Sequence, residues 1–428
     1  MTAGRDRRRP AGWALFGAAL VAVGACSSGG RPATLASPPS TRAPSATAPV
    51  APPSSTSTPT TAAAVPAAAP PRTPPPETSL PPPTVVATTS PAPPLPSPGS
   101  LIAYESSSCP NTCTWSIKVI GADDTGLRTV AADGQGPHWQ PHGGLIGYVV
   151  PASDCGAGPC RQPAQIAAVD GDGSDARTIV TGDGFTWSPD GSEIAYTALT
   201  TGDYLHLAHL DGTPASTLDV PGSDPAWSPD GTTIVVADND EGNSSVAVDA
   251  VNVATRAVTT LVTLSQVVAA DATIADESGC GSPGGSFSNL GWSFDSHQVV
   301  FELTAGCGDD GGTTRVGVVQ VATGALHLLS GPNVTPAWSP VALQLAYSNN
   351  GGLVAERRAA VVVANADGSD PRTVAPIGDS PAWSPDGSLV VFDASEVTGQ
   401  LAITTTQPSP QARALTATSD ATWATFNP

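Results

Sequence analysis

Trp187-Ser188-Pro189-Asp190-Gly191, followed one residue later by Glu193-Ile194-Ala195-Tyr196, is the stretch whose reading decides the fold. Proline presets φ at the second turn position and glycine accepts positive φ, so the first five residues read as a tight turn. The four residues after it read as a short, largely apolar strand. The tryptophan before the turn is a large wedge suited to packing between neighbouring sheets. The unit returns as Trp227-Ser228-Pro229-Asp230-Gly231 and Trp383-Ser384-Pro385-Asp386-Gly387, and weaker copies begin at Trp139, Trp292, Trp338 and Trp423. The seven tryptophans are spaced by 48, 40, 65, 46, 45 and 40 residues, so the chain is built from repeats.

Each of the first six copies continues into a further strand pair, as in Gln165-Ile166-Ala167-Ala168-Val169 and Arg177-Thr178-Ile179-Val180, joined by a Gly/Asp turn. Four strands per unit without helical periodicity predict propeller blades. Leu101-Ile102-Ala103-Tyr104 matches the strand that follows a tryptophan turn, and the segment at Trp423 matches the strand before one. The last inner strand is therefore expected to complete the blade begun at residue 101, leaving no open sheet edge.

The Trp-Ser-Pro-Asp-Gly copies followed by Ile-Ala-Tyr or Val-Val-Phe resemble the repeats of TolB-type β-propellers, over about three quarters of the chain. The resemblance implies an all-β fold, a β-propeller of four-stranded blades. Seven blades follow from the tryptophan count, with six or eight as alternatives. Function is implied less sharply, because such propellers serve as protein-binding modules, as gating domains of peptidases and as lyases. TolB itself is six-bladed with an extra N-terminal α/β domain, and a Pro-rich segment stands in that place here.

Outward from the repeats, residues 1–25 read as a lipoprotein signal peptide. Arg5, Arg7, Arg8 and Arg9 precede the apolar stretch Ala11 to Val23, which is too short for a membrane span, and Val23-Gly24-Ala25-Cys26 resembles a lipobox. Cys26 is the expected lipidation site and Ser27-Ser28-Gly29-Gly30 its spacer. The expected location is the extracytoplasmic face of a cell membrane. The arginines leave Sec and twin-arginine export both open. Residues 26–99 form a linker of Pro, Ser, Thr and Ala with too little apolar bulk to offset ordering entropy. As polyproline II, at about 3.1 Å per residue, such a stalk reaches on the order of 200 Å. Its Ser/Thr-Pro content suits O-glycosylation as well as a bare tether.

The propeller is assigned to residues 100–428. All of the chain's 37 acidic residues except Asp6 and Glu77 lie there, against ten of its 17 basic ones, and the whole chain carries −20. That surface repels phosphate backbones and anionic headgroups, which excludes nucleic acid as a partner and leaves the lipid anchor as the membrane contact. Solubility explains such charge; the sharper reading is a preference for cationic partners or metal ions. Cys109, Cys113, Cys155, Cys160, Cys280 and Cys307 are even in number in an exported chain, which favours disulfides. Propeller topology puts the pairs 109 with 113, 155 with 160 and 280 with 307 on one face, each stapling a long insertion.

No Gly-x-Ser-x-Gly elbow or phosphate loop is present. His138 with His142, and His206 with His209, are the histidine pairs that a metal-dependent lyase would need to bring together. Asp170-Gly171-Asp172-Gly173-Ser174-Asp175 hints at calcium, but it lacks the glycine and glutamate of an EF-hand and coincides with a repeated turn. No catalytic residue, metal or cofactor is assigned. The candidate binding residues stand three or four positions before each tryptophan, where the inner strands begin at the channel mouth: Gln135, Asp183, Asp224, Asn289, Thr335, Asp379 and Asp420. Converging carboxylates there would repel one another unless a cation sits among them; the structural alternative is that they cap strand starts. The function class left by these features is a binding or scaffold module for another envelope protein or peptide, a basic one suiting the charge. The chain is expected to be a monomer. The alternatives are a metal-dependent lyase or glycan hydrolase using the channel mouth, and a ligand sensor.

Overall fold

The computed structural model describes residues 100–428 apart from 109–113, 153–162, 199–203, 240–245, 275–283, 307–312, 350–358, 395–399, 408–409, 416–417 and 419–420. Cys26, the other six cysteines, the linker and Asp420 lie outside the described residues.

Seven sheets, each of four antiparallel strands, surround a common axis. The first blade holds β1 (Leu101–Ser108), β2 (Thr114–Gly121) and β3 (Arg128–Ala131). The second holds β4 (Gln135–Trp139), β5 (Leu145–Val150), β6 (Gln165–Asp170) and β7 (Arg177–Thr181). The third holds β8 (Gly184–Trp187), β9 (Glu193–Thr197), β10 (Tyr204–His209) and β11 (Pro214–Pro221). The fourth holds β12 (Ser223–Trp227), β13 (Thr233–Asp238), β14 (Ala247–Asn252) and β15 (Val258–Thr263). In the fifth are β16 (Gly284–Trp292), β17 (Gln298–Gly306), β18 (Thr313–Gln320) and β19 (Leu326–Leu328). The sixth comprises β20 (Asn333–Trp338), β21 (Gln344–Asn349), β22 (Ala360–Asn365) and β23 (Arg372–Ala375). The seventh comprises β24 (Asp379–Trp383), β25 (Leu389–Asp393), β26 (Leu401–Thr405) and β27 (Ala412–Ala414).

The remaining strand, β28 (Ala421–Phe426), closes the ring by pairing with β1 as the inner strand of the first blade. Leu101 N donates to Asn427 Oδ1 at 2.7 Å and Asn427 N returns a bond to the Leu101 carbonyl at 2.8 Å. The expected closure and blade number are both present.

The core is divided among the interfaces between blades, one apolar cluster per neighbouring pair. This arrangement gives the Ile-Ala-Tyr pattern its physical meaning. Ile194 and Tyr196 pack toward the second blade, and the small Ala195 between them faces the fourth. The small position makes room for the next tryptophan: a Cβ on Gly147 would lie 2.8 Å from Trp187 Cζ2. Both faces of these strands are buried, so their apolar residues run on continuously, as in Ile234 to Ala237.

Six inner strands end on the repeat tryptophan. In four of them the indole also pins two blades together. Trp187 Nε1 donates to the His138 carbonyl at 3.1 Å, Trp292 to Ala226 at 3.0 Å, Trp338 to Gly291 at 3.1 Å and Trp383 to Ala337 at 3.0 Å. Each acceptor is the residue just before the preceding blade's own tryptophan. Trp227 instead bonds the Gly231 carbonyl of its own turn, at 3.2 Å. The indole N–H groups of Trp139 and Trp423 are buried without a hydrogen-bond partner.

The turn after the tryptophan is clamped from within. Asp190 Oδ1 accepts from Ser188 Oγ at 2.6 Å and from Ser192 N at 3.0 Å, while Ser188 Oγ accepts from Glu193 N at 2.9 Å. Ser228 with Asp230, Ser293 with Asp295 and Ser384 with Asp386 repeat the 2.6 Å bond. Gly191, Gly231 and Gly387 adopt φ of 72°, 76° and 69°, as the turn requires. The Asp170 to Asp175 segment is likewise a turn: Asp172 Oδ1 accepts from Ser174 N at 2.9 Å and Ser174 Oγ at 2.6 Å.

One element departs from the expected absence of helix. Within the 65-residue gap between Trp227 and Trp292 lies α1 (Leu264–Ala270), started by a capping box between Thr263 and Gln266. Val267 and Ile274 are fully buried against the fourth and fifth blades. Arg315, itself 4% exposed, holds the segment by donating to Asp271 Oδ2 at 2.8 Å and Thr273 Oγ1 at 3.0 Å.

Candidate functional site

Five inner strands share an irregularity at the mouth of the channel. Register shifts lie between Gln135 and His138, Ser223 and Ala226, Ser288 and Gly291, Val334 and Ala337, and Asp379 and Ala382. Inside each shift one residue takes the left-handed conformation: Gly136, Asp224, Asn289, Thr335 and Ser380, with φ of 56°, 51°, 51°, 50° and 50°. These are β-bulges. Glycine, Asp and Asn tolerate this region, but a β-branched threonine there is strained by on the order of 1–3 kcal/mol and must be held by its surroundings.

A bulge also leaves backbone N–H groups outside the ladder, and carboxylates collect them. Glu302 Oε2 accepts from Thr335 N at 2.8 Å and from Asn289 Nδ2 at 2.9 Å. Asp224 Oδ2 accepts from Leu290 N at 2.9 Å. Asp379 Oδ1 accepts from Ser380 N at 2.6 Å and from Thr335 Oγ1 at 3.0 Å, and the same hydroxyl lies 3.0 Å from Ser348 Oγ. The strained Thr335 is thus fixed from two sides. The chain of bonds runs from β12 through β16, β17 and β20 to β24, across four consecutive blades. On the other side of the ring Glu105 Oε2 accepts from Gly136 N at 2.9 Å, and Glu105 Oε1 accepts from Thr422 Oγ1 at 3.1 Å.

Burial pushes the Asp224 carboxyl up to about 6, against the pull of its backbone hydrogen bonds. Glu302 is raised first by burial and then by the neighbouring Asp379 and Asp224 carboxylates. Glu105 is raised by burial as well. Among the described residues no Lys or Arg bonds to Asp224, Glu302 or Asp379. Among the described residues the site is therefore rich in acceptors and negative potential, with no cation bonded to it.

The residues expected at the mouth divide into two positions. Asp224, Asn289 and Thr335 are bulge residues, whereas Gln135 and Asp379 begin their strands one residue earlier. Asp183 precedes β8, which pairs with β9 without a register shift, and its N–H donates to the Thr197 carbonyl at 3.1 Å. Asp224, Asn289, Thr335 and Asp379 are brought into one network and Gln135 and Asp183 are not part of it. Glu105 and Glu302 are the residues that inspection of the tryptophan copies missed. Their signal is positional: Tyr104-Glu105 and Phe301-Glu302, like Phe392-Asp393, put a carboxylate directly after the aromatic of the second strand.

The histidines do not converge. His138, in the channel wall, meets Phe185 edge-on at 5.6 Å and Trp423 at 6.3 Å, and enclosure by the ring lowers its pKa. His206 stacks on Tyr196 at 5.2 Å and lies 3.3 Å from Thr217 Oγ1, while His209 pairs with Glu193 at 3.1 Å. Among the described residues no group of three or more His, Cys, Asp or Glu side chains is placed to hold a metal ion. No helix among them is long and apolar enough to cross a membrane.

No protein-family model and no curated protein matches the chain. Solved structures do. TolB from Acinetobacter baumannii is 17% identical, with a TM-score of 0.44 over 76% of this chain and 82% of that one. Hydrazine synthase of Kuenenia stuttgartiensis is 16% identical, with a TM-score of 0.48 over 68% of this chain and 89% of the other. Oligogalacturonate lyase from Vibrio parahaemolyticus is 14% identical, with a TM-score of 0.42 over 66% and 73%. What they share with this chain is the propeller architecture. Two of the three are named for unlike enzyme activities and TolB for none, so the function has to be argued from the residues of this chain.

Proposed function

We propose that the chain is a lipid-anchored, extracytoplasmic propeller that binds another envelope protein or peptide, receiving a basic segment of it at the channel mouth. The observation that carries this reading is the acceptor network of Asp224, Glu302 and Asp379 across four blades, to which no Lys or Arg among the described residues bonds. A Lys or Arg side chain from a partner would relieve the repulsion that raises Glu302 and would meet oriented acceptors. The acid excess of the propeller would speed the encounter and make it salt-dependent. Cys26 is the proposed anchor, and the Pro-rich segment after it the stalk that carries the propeller away from the membrane.

The test is capture by the purified chain from envelope extracts, with partners identified by mass spectrometry and then produced separately. Asp224→Asn combined with Asp379→Asn keeps the acceptors for Leu290 N and Ser380 N but removes both charges. Binding of a verified partner should weaken about tenfold or more, with no fall in melting temperature. Unchanged affinity would remove the mouth from consideration. For the anchor, Cys26→Ala should abolish detergent partitioning of the mature protein, and unaltered partitioning would refute the assignment.

A further inference from the structure

The turns of the third, fourth, fifth and seventh blades share a Ser–Asp bond; the second blade departs from it with Gln140-Pro141-His142, and the sixth alone puts an apolar residue in the Asp position. Where Asp190, Asp230, Asp295 and Asp386 stand in their turns, this blade has Val341, followed by Ala342 and Leu343. Ser339 is 1% exposed and has lost the carboxylate that accepts from its counterparts at 2.6 Å, retaining only a long bond from Val341 N at 3.4 Å. Nothing is gained by burial in exchange. Val341 is 54% exposed, more than any other large apolar side chain among the described residues, and Leu343 is 39% exposed. A turn that gives up charge-assisted hydrogen bonds to place aliphatic groups in water has a reason outside folding.

Beside this turn, between the fifth and sixth blades, lies a cavity of about 640 Å³. Its floor includes Val318 and Leu326, and its rim the exposed Leu343 with Gln320, His327 and Asp367. An apolar centre within a polar rim is the arrangement of a pocket that receives an anchoring side chain. Asp367 is fixed on the rim by accepting from Ser369 N at 2.9 Å and Ser369 Oγ at 2.6 Å, which holds it ionised. The rim therefore presents a fixed negative charge next to an apolar pocket, on a propeller with a large excess of acid.

We infer that the turn face between the fifth and sixth blades is a second docking site, for a polypeptide segment of another protein that presents an aliphatic or aromatic anchor beside Lys or Arg. The inference rests on the protein-binding reading above but uses a different surface. The mouth lies where the inner strands begin and this face where they end, so one partner could engage both or two partners one each.

The experiment titrates the full chain with three synthetic hexapeptides, Arg-Lys-Leu-Leu-Arg-Lys, its analogue with both leucines replaced by glycine, and its analogue with glutamate for every basic residue. Val341→Asp with Ala342→Gly restores the Ser-Pro-Asp-Gly turn, so that variant should melt no lower than the parent. The leucine peptide should bind the parent best and the restored-turn variant about tenfold or more weakly. Asp367→Asn should narrow the preference for the basic over the acidic peptide. A photo-leucine version should crosslink to the face that carries Leu343. The inference is overturned if the leucine peptide fails to bind at millimolar concentration, if the glycine peptide binds as well, or if the restored turn has no effect. Should Asp224→Asn with Asp379→Asn abolish peptide binding while the restored turn does not, the peptide occupies the mouth; the turn-face site then fails and the mouth reading stands.

Discussion

The Glu302 carboxylate accepts the backbone N–H of Thr335 at 2.8 Å, tying the second strand of the fifth blade to the strained bulge that opens the sixth. Removing the acceptor leaves that N–H and the Asn289 amide without partners in a buried place. Glu302→Ala should therefore cost about 2–4 kcal/mol, since each orphaned group loses on the order of 1–3 kcal/mol. Glu302→Gln keeps an acceptor and deletes a charge that burial disfavours, so it should melt no lower than the parent at pH 7. Thermal melts of both variants check the pair; equal losses would mean that the charge itself is needed.

The same chemistry predicts a pH dependence of unusual sign. Asp224 titrates at about 6 in the folded chain, above its ordinary value near 3.8. For a raised carboxyl, stability is complete below the unfolded value and is lost as pH rises through the folded one. Stability should thus fall between about pH 4 and pH 7, by on the order of 1–2 kcal/mol for a half-buried group, with Glu302 and Glu105 acting in the same direction. Asp224→Asn should flatten that slope. Urea denaturation across the range reads it directly, and a slope that is identical in the variant contradicts the assignment.

The tryptophans should not be equivalent. Trp187→Phe loses the bond to the His138 carbonyl as well as packing, whereas Trp139→Phe loses packing alone because its indole N–H has no partner. The first substitution should cost about 1 kcal/mol more than the second. Paired melting curves decide it, and a larger loss at Trp139 would show that packing and not pinning dominates.

Ring closure makes the last strand indispensable. Deleting residues 419–428 removes β28, strips β1 of its pairing from Ile102 to Ser106 and exposes a flat edge. Aggregation or a markedly lower melting temperature is expected in scattering and calorimetry. An unaltered melt would mean that the first blade holds with three strands.

The expected disulfides pair Cys109 with Cys113, Cys155 with Cys160 and Cys280 with Cys307, in segments flanked by described strands. Ser108 stands opposite Thr114, and Val150 opposite Gln165. Non-reducing peptide mapping should find these three pairs, and crossed pairs or free thiols would refute them.

The tryptophan turns, the four-strand units and the composite first blade were legible in the chain alone, because a turn is specified by adjacent residues and a strand by the alternation of its own side chains. Ser188, Pro189, Asp190 and Gly191 carry their whole explanation within five positions. The negative character of the mouth was legible too, through Asp224 and Asp379. Which carboxylate serves which bulge was not. Asp224 reaches Leu290 across 66 residues and Glu302 reaches Thr335 across 33. Those partners are set by how one sheet leans on the next. Likewise Val341 reads as one more weak copy of a turn until its exposure and the neighbouring cavity are seen. A repeat specifies each blade by local chemistry, but the bonds and surfaces between blades depend on the juxtaposition of residues far apart in the chain, and only the closed ring supplies it.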